Sequence, residues 1–179
     1  MATASSTVVL KQVKGGSFLI EERAPEDVFT PEDFSDEQLQ IAKTAHEFAL
    51  NEVLPAAEQI EAKNFEVTTA LLRKAGELGL MAVDIPEAYG GLEMDKVTSA
   101  LIADAMSKLG SFSVAFSAHV GIGTLPIVWY GTDAQKRRYL PKLATGEWIG
   151  AYALSESSSG SDAMNIRTRA SLSPDGQHY

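Results

Sequence analysis

The sequence of 179 residues contains no cysteine, which excludes a disulfide framework, a thiolate nucleophile and a thiolate-bound metal. Its three histidines, His46, His119 and His178, lie too far apart to form a metal-binding motif. The net charge of −9 argues against a nucleic-acid-binding protein, because phosphate recognition needs a basic surface. Residues 1–15 lack the layout of a signal peptide. We therefore expect a soluble, intracellular protein of the cytoplasm, with no bound metal.

What is present is an ordinary globular composition, with 45% hydrophobic and 22% charged residues. Ser35 and Gln38 have the spacing of a capping box, and apolar residues then recur at helical intervals as far as Val53. Pro55 is expected to kink or interrupt this helix. Four more helices are predicted: Thr68–Leu78 ended by Gly79, Asp95–Leu109 ended by Gly110, a long buried helix over Ser111–Tyr130, and a helix to Leu143 that begins with the capping pair Thr132 and Gln135.

The hydrophobic period changes near the carboxyl end of the sequence. Trp148–Leu154 is compact and rich in strand-forming residues, and Ile166–Leu172 alternates in the manner of a half-buried strand. Residues 173–176 (SPDG) predict a turn, after which Gln177–Tyr179 opens a returning strand. The fold class is therefore expected to be α+β: an extended arm over residues 1–34, an all-α domain over 35–146 and the beginning of a β domain over 147–179.

The stretch Tyr152–Asp162 (YALSESSSGSD) leaves a predicted strand and enters a loop rich in serine and glycine. Such a loop presents hydroxyls and backbone N–H groups to an anionic group such as a pyrophosphate. Gly160 permits a ligand to approach the backbone closely. By itself this pattern is more often a plain connector than a binding loop.

Four segments together resemble the acyl-CoA dehydrogenase family, in the family's order and at similar spacing. The resemblance extends over about three quarters of the chain, roughly Asp36 to Tyr179. The segments are GLMAVDIPEAYGGL (79–92), AHVGIGTLPIVWYG (118–131), QKRRYLPKLATGE (135–147) and AYALSESSSGSDA (151–163).

The resemblance implies a helical N-terminal domain, a middle β domain and a C-terminal four-helix domain, with FAD between the last two. It assigns flavin contacts to Tyr152, Ala153, Leu154 and Ser155, with the Ser155 hydroxyl towards the flavin. It places Gly160 and Ser161 near the FAD phosphates and gives Ser161 a second contact with the acyl-CoA substrate. The implied reaction is α,β-dehydrogenation of fatty acyl-CoA thioesters in β-oxidation.

Two departures from the family pattern bear on this assignment. Ser157 and Ser158 stand where many members have Pro-Gly, so the loop is expected to be more mobile without its ligand. The sequence also stops before the family's catalytic glutamate, so we expect an N-terminal fragment that is inactive alone. We assign no catalytic residue within the chain, because Glu156 should face away from the flavin if Ser155 faces it.

Substrate length, partners and alternatives follow from the same resemblance. Residues 157–168 and 14–18 are most similar to the very-long-chain branch, and small residues at Ala115, Ala118, Gly121 and Gly123 favour a deep acyl pocket, hence a medium-to-long straight chain. Relatives imply an electron-transferring flavoprotein as the electron acceptor and a homodimer or homotetramer. An acyl-CoA oxidase-like flavoenzyme and a non-catalytic helical interaction module remain the alternatives.

Three other features have simpler structural interpretations. His119 lies in an apolar stretch, where a hydrogen-bonded buried histidine is commoner than a functional one. The run Lys136-Arg137-Arg138 is interpreted as a solvated helix face that could touch a neighbouring subunit. Trp148 is explained by core packing.

Overall fold

The computed structural model describes residues 16, 19–24 and 27–179. Their contacts divide the chain into two units, residues 1–36 and residues 37–179. The arm predicted over residues 1–34, including the segment 14–18 compared with the very-long-chain branch, lies largely outside the described residues. In the described part of the first unit, Pro31–Asp33 forms a 3₁₀ turn, and the Thr30 N–H donates to Asp33 Oδ2 at 2.8 Å. The rings of Phe29 and Phe34 pack with their centroids 5.8 Å apart.

Helix α1 spans Asp36–Phe48 and continues without a break into other helix types. Ala49–Val53 is a π-helical turn, Leu54–Ala56 is a 3₁₀ turn, and α2 spans Ala57–Glu61. Pro55 has no N–H to donate to the preceding turn, and a proline ring would clash with the carbonyl group of that turn in a regular α-helix. The prediction that Pro55 interrupts the α-helix is confirmed, and the interruption is a change in helix type.

The remaining helices follow in chain order. They are α3 (Phe65–Glu77), α4 (Lys96–Met106), α5 (Gly110–Ser117), a π-helical turn (Ala118–Gly123), α6 (Leu125–Tyr130) and α7 (Asp133–Ala144), with 3₁₀ turns at Glu87–Tyr89 and Ala163–Asn165. The elements from Gly110 to Tyr130 form one helix of 21 residues.

The helix ends are where local sequence chemistry is most visible. Asp95 Oδ1 accepts from the Thr98 N–H at 2.8 Å, and Asp95 Oδ2 accepts from the side chain of Gln38 in α1 at 2.8 Å. Thr132 and Gln135 form the predicted capping box, with the Thr132 N–H donating to Gln135 Oε1 at 2.8 Å. Gly79 follows α3 with a φ of +76°, the left-handed conformation that ends a helix. These three signals are confirmed.

The boundary between α4 and α5 differs from the prediction. Helix α4 ends at Met106 rather than at Leu109, and Gly110 is the first residue of α5 rather than the end of α4. Leu109 nevertheless packs against the core, from the connection between the two helices. The four-residue spacing between Ala105 and Leu109 therefore predicted correctly that Leu109 packs against the core, but not that it lies in the helix.

The main core lies among α1, α3, α4 and α5. It contains sixteen buried side chains, among them Phe48, Leu72, Ile102 and Phe112. The ring centroids of Phe48 and Phe112 are 6.2 Å apart. A smaller cluster joins the segment after α3 to α7 through Ala82, Ile85, Leu140, Leu143 and Ala144.

The strands predicted near the carboxyl end are not formed within the described residues. Trp148–Leu154 and Ile166–Leu172 have no regular structure, and the sole β-type pairing among these residues is an isolated bridge between Glu156 and Ser159. The predicted turn is present: the Gly176 N–H donates to the Ser173 carbonyl at 2.9 Å, and Gly176 has a φ of +70°. A turn is made by its own residues, whereas a strand needs a hydrogen-bonding partner strand.

Candidate functional site

The segment predicted to contact flavin, Tyr152–Ser155, has no regular secondary structure and is exposed, with Tyr152 at 52% of its maximal accessible surface. Among the described residues its backbone N–H and C=O groups have no hydrogen-bond partner. Four consecutive residues therefore present open donors and acceptors to whatever covers them.

Gly150, two residues before this segment, is hydrogen-bonded to a buried histidine. His119 is fully buried in the π-helical turn, its Nδ1 accepts from the Gly150 N–H at 2.9 Å, and its Nε2 lies 3.0 Å from the Leu143 carbonyl. A carbonyl only accepts, so Nε2 carries the proton and Nδ1 is the bare acceptor. Burial lowers the pKa of His119, which keeps the ring neutral. The interpretation as a satisfied buried histidine agrees with this geometry.

The loop after the segment is folded onto itself around one carboxylate. Glu156 Oε2 and Oε1 accept from the backbone N–H groups of Arg167 and Thr168 at 2.8 and 3.0 Å. The Ser159 hydroxyl, which is buried, donates to the Asp162 carbonyl at 2.6 Å. Hydrogen bonds from Thr168 and Arg167 lower the pKa of Glu156, so this carboxylate is a poor proton acceptor at neutral pH.

Gly160 and Ser161, predicted near the FAD phosphates, lie at the exposed outer turn of this loop. A Cβ added at Gly160 would meet nothing within 4 Å. The structure thus leaves space at Gly160 for close approach and brings both residues within one loop with Ser155. It does not place them against the helical body.

Trp148 lies at the end of α7 and packs on that helix. Its ring centroid is 5.9 Å from that of Tyr139, and Lys142 Nζ lies 4.6 Å from the indole centroid. The backbone N–H of Trp148 donates to the Lys142 carbonyl at 3.1 Å. Helix packing accounts for Trp148, and together with His119 it anchors the chain on both sides of Ile149.

The four small residues predicted to line an acyl pocket divide into two kinds. Ala115, Ala118 and Gly121 lie along the Gly110–Tyr130 helix, and a Cβ at Gly121 would meet nothing within 4 Å. At Gly123, a Cβ would lie 2.8 Å from the Gly150 carbonyl carbon. The space beside Gly123 is therefore filled by the chain's own backbone and cannot add depth to a pocket.

The basic run on α7 is largely exposed and also makes surface contacts. Arg137 and Arg138 are both exposed. The Arg137 Nε–H donates to Asp133 Oδ2 at 2.8 Å, and the Tyr89 hydroxyl donates to Asp133 Oδ1 at 2.9 Å. The bond to Asp133 raises the pKa of Tyr89, and the bond from Arg137 lowers the pKa of Asp133. This cluster joins α7 to the Glu87–Tyr89 turn.

Comparison with known proteins identifies the family. The sequence model described as "Acyl-CoA dehydrogenase, N-terminal domain" matches residues 35–147. The chain belongs to the acyl-CoA dehydrogenase family. A probable acyl-CoA dehydrogenase of Bacillus subtilis is 54% identical over 166 residues, which are 93% of this chain and 28% of that protein. The chain thus spans under a third of the length of this relative.

Two solved structures also match most of this chain but less than half of their own length. The acyl-CoA dehydrogenase of Bacillus anthracis complexed with FAD superposes with a TM-score of 0.87 at 55% identity, over 92% of this chain and 28% of that chain. A chain of the electron transferring flavoprotein structure from Acidaminococcus fermentans has a TM-score of 0.74 at 32% identity, over 82% of this chain and 38% of that chain. The helical N-terminal domain of the fold class is confirmed.

Sequence reasoning missed two contacts of this acyl-CoA dehydrogenase domain. One joins His119 to Gly150, which lie 31 positions apart, and the other joins Glu156 to Arg167 and Thr168. Neither pair has a local spacing signal, since each forms only after the chain has folded back. Among the described residues no cluster of three or more His, Asp or Glu side chains is placed to hold a metal ion.

Proposed function

We propose that this chain is the N-terminal part of an FAD-dependent acyl-CoA dehydrogenase that catalyses α,β-dehydrogenation of fatty acyl-CoA thioesters in β-oxidation. Within the chain, the exposed segment Tyr152–Ser155 is the observation that carries the proposal, because its backbone groups have no partner among the described residues and it follows the buried contact between His119 and Gly150. The family membership supplies the reaction class. Residues 147–179 are proposed to begin a β domain that pairs with strands of a longer polypeptide, and residues 1–34 to form an extended arm that precedes the helical domain of 35–146.

FAD would supply the acceptor for the substrate β-hydride. In this chain Tyr152, Ala153, Leu154 and Ser155 would bind the flavin, Gly160 and Ser161 would bind its phosphates, and Ser161 would also contact acyl-CoA. The exposed serine hydroxyls and open backbone of the loop fit these roles, since phosphates are held well by N–H and O–H donors without cationic side chains.

The base that removes the substrate α-proton would come from outside this chain. Glu156 is the carboxylate in the candidate site, and its two oxygens are engaged by the Arg167 and Thr168 amides. Its lowered pKa makes it a weak base. The chain alone is therefore expected to be inactive.

Acyl length and partners are the finer parts of the proposal. We expect a medium-to-long straight-chain substrate, of the very-long-chain-like branch, with Ala115, Ala118 and Gly121 rather than Gly123 leaving room along the pocket. Faster turnover of butyryl-CoA than of palmitoyl-CoA by the complete enzyme would overturn this preference. An electron-transferring flavoprotein is the proposed electron acceptor. The complete enzyme is proposed to be a homodimer or homotetramer located in the cytoplasm.

The Gly110–Tyr130 helix is long and apolar enough to cross a membrane by length and composition. Val114, Ile122 and Trp129 are largely exposed on it in this chain. We propose that the rest of the enzyme covers this face, because His119, Phe112 and Phe116 on the other side are core residues of a water-facing domain.

The test compares this 179-residue chain with the longest polypeptide that its reading frame encodes. Each is purified with FAD, scanned for visible flavin absorption, and mixed with palmitoyl-CoA without oxygen. The proposal expects a yellow long polypeptide that acyl-CoA bleaches, beside a chain that retains no flavin.

Each other result identifies an alternative. Rapid recolouring of the bleached enzyme by dissolved oxygen, with peroxide formed, would favour the oxidase-like relative. A long polypeptide that binds no FAD would favour the non-catalytic interaction module. Turnover by the 179-residue chain itself would contradict the assignment of the base to a part outside it.

A further inference from the structure

The π-helical turn Ala118–Gly123 directs one side chain and one glycine towards the same short piece of backbone. His119 Nδ1 accepts from the Gly150 N–H at 2.9 Å. Gly123 and Gly150 lie so close that a Cβ built at Gly123 would be 2.8 Å from the Gly150 carbonyl carbon and 3.0 Å from the Ala151 nitrogen. These are independent observations, one a hydrogen bond and the other a backbone contact that only glycine allows.

The turn itself is held in place by other buried groups. The Thr124 hydroxyl, almost fully buried, donates to the His119 carbonyl at 2.7 Å. On the far side of the ring, Nε2–H donates to the Leu143 carbonyl at 3.0 Å. The imidazole is therefore fixed in position and tautomer between α7 and Gly150. A π-helical turn within an α-helix is often associated with a functional site.

The contact lies directly before the segment that the proposed function assigns to flavin. Gly150 is two residues before Tyr152, and consecutive Cα atoms are about 3.8 Å apart. Because the backbone of Tyr152–Ser155 has no hydrogen-bond partner among the described residues, its direction is set by the point at which it leaves Gly150. A displacement of about 1 Å at such a support weakens a binding site without removing any contacting residue.

We propose that His119 and Gly123 are positioning residues that fix the start of the flavin-contacting segment by holding Gly150 against the π-helical turn. Neither residue touches the cofactor in this scheme. This inference rests on the proposed function, since it gives the Gly150 contact a role in FAD binding.

Two substitutions at His119 separate its two hydrogen bonds. In His119→Asn the side-chain oxygen can take the place of Nδ1 and accept from Gly150, while the bond to Leu143 is lost. In His119→Gln the amide nitrogen reaches the place of Nε2 and donates to Leu143, while the acceptor for Gly150 is lost. Each variant loses one buried bond, so a purely structural role predicts similar effects of the two on FAD binding.

The experiment uses the longest polypeptide of the reading frame and measures the FAD dissociation constant, the flavin absorption spectrum and hydrogen exchange at the Gly150 amide. We expect His119→Gln to weaken FAD binding by about tenfold or more, to shift the flavin spectrum and to speed exchange at Gly150. His119→Asn should stay close to the wild type in all three. Equal FAD affinities for His119→Gln and the wild type would overturn the proposal, as would equal losses in the two variants.

A glycine pair tests the backbone contact without touching the histidine. Gly123→Ala places a methyl group against Gly150 and should weaken FAD binding by about tenfold. Gly110→Ala, at the start of the same long helix, meets nothing within 4 Å and should leave FAD binding unchanged. Unchanged binding in Gly123→Ala would count against the proposal. If the wild-type polypeptide binds no FAD, the proposed function fails and the flavin role of the contact fails with it, while exchange at Gly150 still decides whether His119 holds that amide.

Discussion

The helical body, residues 37–147, and the segment 148–179 both contain apolar residues, but they differ in how many of these residues are buried and in how much regular structure they form. In the body, Phe112, Ile102 and Leu140 are fully buried. In the segment, Leu172 and Ile166 are more than half exposed and no strand is formed among its residues. A helix satisfies its backbone groups within itself, whereas a strand depends on a neighbour. The comparison teaches that apolar alternation alone does not produce a strand when no neighbouring strand pairs with it.

The largest expected effect tests the packing of the body. Phe112→Ala removes a fully buried ring that contacts Phe48 and Phe116. We expect a loss of about 3–5 kcal/mol in the free energy of unfolding, measured by urea denaturation. Val114→Ala, at a position that is 70% exposed on the same helix, should change it by less than about 0.5 kcal/mol. Similar losses in both variants would show that this helix is not anchored as described.

The second prediction compares one glycine from each region. A Cβ at Gly76 in α3 would lie 2.3 Å from the Thr145 carbonyl oxygen, whereas a Cβ at Gly160 would meet nothing within 4 Å. Gly76→Ala should cost about 1–3 kcal/mol in spite of alanine's better helix propensity, because backbone must move. Gly160→Ala should leave thermal unfolding without FAD unchanged. A stabilised Gly76→Ala variant would contradict the close approach of α3 to the end of α7.

The third prediction uses pH to test the link between the two regions. Burial lowers the pKa of His119 below its ordinary value of 6.5. The folded state therefore favours the neutral ring, and its contribution to stability is complete above that value and is lost as the pH falls towards the lowered folded pKa. Urea midpoints measured from about pH 8 to about pH 5 should fall below pH 6.5 in the wild type.

His119→Asn provides the control for this titration. It removes the ionisable ring and leaves the neighbouring Lys142–Glu147 ion pair in place. Its midpoint should depend less on pH over the same range. An identical pH dependence in both proteins would assign the loss to other groups.

The smallest effect is confined to the segment. Glu156→Gln replaces a carboxylate that accepts from the Arg167 and Thr168 amides with a weaker neutral acceptor. The unfolding temperature should not change, because Glu156 is partly exposed and lies outside both core clusters. Hydrogen exchange at Arg167 and Thr168 should become faster, while exchange at Leu72 in α3 stays slow. Unchanged exchange at both loop amides would mean that Glu156 does not hold the loop.

Much of the helical body could be predicted from the sequence because its signals are local. The capping residues Asp95 and Thr132, the stop at Gly79 and the interruption at Pro55 each depend on groups within about one helical turn. The error at Gly110 has the opposite origin: Leu109 continues the apolar spacing of α4 because the core needs it, although the helix has already ended.

The candidate site was predicted less completely, for the same physical reason. The family motifs locate Tyr152–Ser155, Gly160 and Ser161, and their roles towards FAD stay predictions. The strands predicted on either side of the loop are not formed among the described residues, because alternation of apolar residues indicates which face would be buried and supplies no partner strand. Gly123 was predicted to leave space in an acyl pocket, yet the space beside it is occupied by the backbone of Gly150, 27 positions later.

By itself the sequence determined the helix starts at Asp95 and Thr132, the helix stop at Gly79, the turn at residues 173–176, the absence of cysteine chemistry and, through its motifs, the family. Tertiary structure alone decided that α1 continues through a π-helical turn, that His119 meets Gly150 and Leu143, and that Glu156 holds the loop. Local features are determined by torsional preferences and by hydrogen bonds between near neighbours. Long-range contacts depend on how finished helices pack, and that information resides in no single stretch of residues.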